Sequence, residues 1–167
     1  LLGCPVFDLD RVRFEPPEGG DPRPYFVIEA PHWINVIPLT HDRRVLLVKQ
    51  YRFGIEEFTL EIPGGMCDPG EAPLEAAGRE LVEETGYRAS ELAEIGWVHP
   101  NPAIQGNRCY TFVARGLIKV GEPAPDPDEE CELVEEPLER IPELIAERKI
   151  THALVLAAFE LLSVTKL

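Results

Sequence analysis

Short runs rich in apolar and β-branched residues, broken by turn formers, occupy the chain up to Ile62, and beyond Pro73 the pattern changes to helical spacing. Val6–Glu15 and Tyr25–Ala30 read as strands separated by the turn-rich segment PPEGGDPRP, which together predict an N-terminal hairpin. Ile34–Leu39, Arg44–Gln50 and Phe58–Ile62 are three further predicted strands, the last leading into the glycine turn Gly64-Gly65. Pro73 suits the first turn of a helix, where a missing N–H is no loss, and Gly86 suits the position just past its end, so a helix is predicted over Pro73–Thr85. At about 100° per residue, Leu74, Ala77, Gly78, Leu81 and Thr85 gather on one side of it and form the inward face. Strands follow at Leu92–His99, Cys109–Ala114 and Glu132–Glu135, with helices at Leu138–Arg148 and Thr151–Leu162. Strands interleaved with helices predict an α/β fold with a mixed sheet covered on both faces.

Composition narrows the class. The chain has 167 residues, 44% hydrophobic and 28% charged, enough for one domain with a real core. The net charge of -14 argues against a nucleic-acid or anionic-membrane surface, because no basic patch is visible that could release counterions from phosphates. All apolar runs are too short to span a bilayer. Cys4, Cys67, Cys109 and Cys131 are scattered, with no CxxC pair and no histidine at zinc-ligand spacing, so reduced thiols and a cytoplasmic location are expected. The segment GEPAPDPDEE reads as a solvated acidic loop.

The chemistry gathers on the predicted helix. Glu80, Glu83 and Glu84 lie within one turn, on the arc next to the inward face, and repel one another at i,i+3 and i,i+4 spacing. Arg79 offsets part of that repulsion through its i,i+4 relation to Glu83, and a cation would relieve the rest. Mg²⁺ takes one or two protein carboxylates and keeps its other positions for water and substrate phosphate. Glu80 and Glu84 can supply those carboxylates, and the glycine pair lets a backbone carbonyl approach the same ion. Read singly, each glutamate is better taken as an ordinary member of a solvated acidic helix face.

The full pattern goes further. Gly65, Glu71, Arg79, Glu80, Leu81, Glu83, Glu84 and Gly86 match the box Gx5Ex7REUxEExGU, U being a large apolar residue, and the chain resembles the Nudix hydrolases. Tyr87 stands at the final U position, where its ring still offers apolar surface. Upstream, VIPLTHDRRVLLVKQYRFG followed by EIPGG is similar to the branch that includes ADP-ribose pyrophosphatases. Downstream, Pro102 stands fifteen residues after Tyr87, a spacing that marks ADP-ribose hydrolases within the superfamily. The matches cover most of Ile34–Leu162.

The resemblance implies a Nudix-type α/β/α sandwich, with 1–30 as an N-terminal β extension that serves dimerisation and 31–167 as the hydrolase domain. It also implies Mg²⁺, with Mn²⁺ as a substitute, held by Glu80, Glu84 and the Gly64 carbonyl, with Glu83 holding a further metal or its water. Arg79 would orient the glutamates. Arg52 would clamp the diphosphate, since guanidinium offers a planar fork of donors; the alternative is a surface arginine paired with Glu56 or Glu57. The catalytic base is Glu83, Glu129 or Glu130, the last two falling in the acidic loop from which this branch draws a base. Trp33 and Tyr25 could stack on a nucleobase and His99 could line the pocket, although aromatics beside a strand are more often core and a lone histidine is more often structural. The implied reaction is hydrolysis of a nucleoside diphosphate sugar, ADP-ribose first, giving AMP and ribose 5-phosphate. GDP-mannose, another nucleotide sugar or a dinucleoside polyphosphate is the alternative substrate. A non-catalytic sensor of nucleotide sugars is a third reading, and the intact Glu80, Glu83 and Glu84 count against it.

Overall fold

The computed structural model describes residues 6–124 and 131–165. Among the described residues there are nine strands, one more than predicted, and three α-helices: β1 Asp8–Phe14, β2 Arg23–Glu29, β3 Trp33–Pro38, β4 Arg44–Arg52, β5 Glu57–Glu61, β6 Gly64–Met66, α1 Pro73–Thr85, β7 Tyr87–Val98, β8 Cys109–Lys119, β9 Cys131–Pro137, α2 Ile141–Ala146 and α3 Ala153–Val164. A four-stranded sheet has the order β6-β3-β8-β7, and β3 runs parallel to β8 while the other pairings are antiparallel. A three-stranded antiparallel sheet has the order β5-β4-β9. β1 and β2 form a separate antiparallel hairpin, tied to the body where the Ile28 N–H donates to the Ile104 carbonyl at 2.8 Å.

Both faces of β3 are covered, which is why WINVIP reads as a nearly continuous apolar run. Ile34 and Val36 point to one side and pack with Phe112, Ala114 and the α1 residues Ala76, Ala77 and Leu81. Ile37 points to the other side and packs with Val113, Val45, Leu47 and residues of α2 and α3, among them Leu144, Val155 and Phe159. Asn35 is polar inside this layer, and its Nδ2 donates to the Leu154 carbonyl at 3.1 Å.

Several boundaries differ from the sequence reading. The glycine pair is a strand rather than a turn, Gly64 and Gly65 pairing with Asn35 and Ile34. β7 starts five residues before the predicted Leu92, because backbone pairing with β8 carries on past the apolar stretch to Tyr87↔Lys119. The helix predicted from Leu138 begins as a 3₁₀ turn, Leu138–Arg140, and becomes α-helical only at Ile141. Leu74 is exposed, and Ala76 and Glu84 take the buried positions on α1 beside Ala77, Leu81 and Thr85. Cys67 and Cys109 are free and buried, and burial pushes the Cys109 thiol up to about 12. Cys4 and the Cys131 side chain lie outside the described residues. Among the described residues no helix is long and apolar enough to cross a membrane.

Candidate active site

The helix that carries the carboxylates is well delimited. Pro73 opens it, the Glu75 carboxylate reaches back to accept the Ala72 N–H at 3.1 Å, and Gly86 closes it in the left-handed conformation at φ 74°. The Gly86 carbonyl then accepts the Val120 N–H, which ties the helix end to the strand after the next. α1 thereby lies across the face of the four-stranded sheet, packed on β3 and β8 and touching β6 at one edge and β7 at the other.

Glu84 is 2% exposed, and its Oε2 accepts the Gly64 N–H at 3.3 Å. One turn earlier, the Glu80 carboxylate lies so close to Gly65 that a Cβ at that position would collide with it. The i,i+4 pair therefore sets two carboxylates over the same two-glycine stretch of backbone. A side chain at Gly64 would meet the Ile34 carbonyl and Asn35 Oδ1, so glycine there lets β6 lie close against β3, while glycine at Gly65 lets Glu80 approach.

Arg79 organises the other acids. Its Nε and Nη2 each donate to Glu71 at 3.0 Å, Nη1 donates to Glu80 at 2.8 Å and to Glu83 at 3.0 Å, and Nη2 also donates to the Met66 carbonyl at 3.0 Å. Sequence spacing anticipates only the Glu83 contact; the Glu71 contact depends on the loop before α1, where the Asp68 N–H also bonds the Glu71 carboxylate. The bonds from Arg79 and from Asp68 hold the Glu71 carboxyl below the ordinary carboxylate range, and the Arg79 guanidinium is raised in turn, foremost by Glu71.

Among the described residues, no three of His, Cys, Asp and Glu stand together as a ready-made metal cage. Arg79 takes up part of the carboxylate valence instead. The donor chemistry nonetheless suits a hard divalent cation: acidic oxygens, one buried, beside a backbone edge kept free of side chains by Gly64 and Gly65.

Arg52 ends β4, and its guanidinium faces Glu61 of β5 rather than Glu56 or Glu57. Glu61 escaped the sequence reading, and only the structure shows that in EFTLE the polar Thr59 and Glu61 are buried while Phe58 is turned outward, an inversion of the usual alternation. Trp33 opens β3 directly opposite Met66 and is half-buried, its N–H donating to the Arg108 carbonyl. Pro102 is exposed in a turn closed by Ile104 and Gln105 N–H bonds to the Asn101 carbonyl. His99 bonds the Asn107 carbonyl at 3.2 Å and packs edge-on to Trp97, and Tyr25 packs edge-on to Phe14 in the hairpin. Glu129 and Glu130 lie outside the described residues; before them, the Ala124 N–H donates to the Glu83 carbonyl at 2.7 Å.

Comparison with known proteins places this geometry. The sequence profile of the NUDIX domain matches residues 31–159. A methanol dehydrogenase activator of Bacillus methanolicus is 31% identical over 137 residues, which are 81% of this chain and 74% of that protein. An ADP-ribose pyrophosphatase of Bacillus subtilis (strain 168) is 33% identical over 128 residues, covering 76% of this chain and 69% of the relative. A crystal structure of an ADP compounds hydrolase superposes with a TM-score of 0.84 at 26% identity, over 98% of this chain and 88% of that one.

Proposed function

This chain belongs to the NUDIX domain family and is a hydrolase, and from that premise we propose that it cleaves the diphosphate linkage of a nucleoside diphosphate sugar, ADP-ribose foremost, to AMP and ribose 5-phosphate. The observation that carries the reading is the convergence of Glu80 and Glu84 on Gly64-Gly65 with Arg79 bonded to Glu71, Glu80 and Glu83, which gives the box residues a shared geometry on one side of α1. The relatives named for ADP-ribose and ADP compounds favour that substrate class over GDP-mannose or a dinucleoside polyphosphate.

Nudix hydrolases generally need a divalent metal, and Mg²⁺, or Mn²⁺ in its place, is the ion we assign. Glu80, Glu84 and the Gly64 carbonyl would hold it, with Glu83 serving a further ion or its water. Bound there, the ion supplies positive charge that offsets the diphosphate oxygens. Arg52 meets the diphosphate through its planar donors, and Trp33 and Pro102 border the nucleoside. A carboxylate, Glu83, Glu129 or Glu130, takes one proton from the attacking water; a new P–O bond forms as the bridging P–O bond breaks, and the departing phosphate leaves as the second product. Arg79 does no chemistry on the substrate and keeps the acids in register.

The test is release of mononucleotide from a panel of ADP-ribose, GDP-mannose, other nucleotide sugars, diadenosine polyphosphates and nucleoside triphosphates, each with Mg²⁺ and with chelator. Metal-dependent cleavage concentrated on ADP-ribose is expected. A preference for another member overturns the substrate, and binding without cleavage of any member overturns the enzyme in favour of a sensor.

A further inference from the structure

Glu61 is an acid set deep in the fold, 2% exposed, outside the box and on a different sheet from it. Arg52 grips it with two parallel bonds, Nε to Oε1 at 2.7 Å and Nη2 to Oε2 at 2.6 Å. Thr59 Oγ1 donates to the same Oε1 at 2.6 Å, and His152, at the start of α3, brings Nδ1 to 3.6 Å from Oε2. Strand register makes the choice of partner informative. Arg52 lies directly opposite Glu57, an exposed acid on the same face of the sheet, yet its guanidinium turns past that neighbour and inward to Glu61.

An exposed pair with Glu57 would contribute little and hold nothing still. A two-point grip on a buried carboxylate does something else: it fixes the plane of a rigid fork, so that the outward edge of the guanidinium has one orientation. The Arg52 side chain remains 43% exposed even with its inner edge held by Glu61. Burial alone would raise the Glu61 carboxyl, but the bonds from Arg52 and Thr59 together hold it below its ordinary value, so the grip is that of an ionised acid. Glu61 also sits three residues before Gly64, on the run of backbone that continues into β6. One stretch of chain thus anchors both Arg52 and the glycines under Glu80 and Glu84.

We propose that Glu61 is a positioning residue, which orients the Arg52 guanidinium toward the substrate diphosphate and sets its place relative to the carboxylate cluster on α1. The inference rests on the reading of Arg52 as the diphosphate-binding residue. Thr59 holds Glu61 in the rotamer that makes the grip.

A double-mutant cycle tests it, with steady-state kinetics on ADP-ribose and Mg²⁺ and with thermal unfolding of each protein. Glu61→Gln cannot accept both guanidinium bonds, and it is expected to raise KM about tenfold with kcat within about twofold of the wild type, as lost uniform binding requires. Added to Arg52→Ala, it should change KM no further, because its effect passes through Arg52. A purely structural role would lower the unfolding temperature and leave KM of the folded fraction unchanged. If Arg52→Ala leaves KM at the wild-type value, the reading of Arg52 falls and this inference with it. If Arg52→Ala raises KM while folded Glu61→Gln does not, or if the two effects simply multiply, the positioning role is overturned and the reading of Arg52 stands. Should Glu61→Gln fail to fold, Thr59→Val removes one bond only; a rise in KM of about threefold that vanishes on the Arg52→Ala background supports the proposal, and an unchanged KM overturns it. A wild-type protein that does not cleave ADP-ribose overturns the proposed function first.

Discussion

At the residue scale, Gly65 and Glu84 separate chemistry from stability. A methyl group at Gly65 would meet the carboxylate end of Glu80, a flexible tip that can swing away at small cost. Gly65→Ala is therefore expected to keep the fold within about 1 kcal/mol and to lower turnover by about a hundredfold, the cost of misplacing a reacting group by an ångström or so. Unfolding temperature and kcat, measured on one preparation, check both halves. Glu84→Gln retains shape and an oxygen that can still accept the Gly64 N–H in its buried place, but removes the charge. Turnover should drop by about a hundredfold or more while the protein stays folded, and near-normal turnover would remove Glu84 from the proposed metal ligands. Glu61 and Glu71 respond to acid. Both carboxyls are held below 4.5, the ordinary value, so each adds stability that is complete above about pH 4.5 and disappears as pH falls through the folded-state value. The unfolding temperature should accordingly drop as pH falls below about 4.5, and the drop should be shallower in Glu71→Gln.

At the scale of the element, α1 was the most legible part of the chain. Pro73 and Gly86 bracket it because each removes an option from the backbone, and such local signals do not depend on what the helix packs against. Which of its residues are buried was less legible: Leu74 faces solvent, and Glu84 is buried because β6 offers it a backbone donor. β6 itself could not be read from Gly-Gly-Met, which has no strand propensity and becomes a strand only through its pairing with β3. The same reason hid Glu61, whose partner comes from a neighbouring strand, whereas the i,i+4 relation of Arg79 and Glu83 lies on the face of one helix and was visible. Gly86 also yields a prediction for the whole helix. At φ 74°, with the Gly121 carbonyl where a Cβ would go, Gly86→Ala has no relaxed alternative and should cost about 2 kcal/mol or more, read as a lower denaturation midpoint.

At the scale of the molecule, the hairpin of β1 and β2 leaves Phe14, Tyr25 and Phe26 exposed on an arm that stands apart from the two larger sheets. We propose that this arm pairs with a second copy of the chain; joint replacement of Phe14 and Phe26 by serine should convert a dimer to a monomer in sedimentation equilibrium, and an unchanged mass would dismiss that role. The parallel pairing of β3 with β8 bears on how the protein comes to be active at all. Arg108 and His32, at the entrance to that pairing, lie 76 positions apart, and the glycine strand and α1 are contained in the loop between them. Closing so long a loop is a slow, high-contact-order event, and until it happens α1 has only one wall of its apolar groove. The carboxylate cluster is therefore expected to form late in folding, and a nascent chain holding every residue of the box should lack an organised site until Cys109 to Lys119 have been made and docked, which pulsed hydrogen exchange on α1 would check.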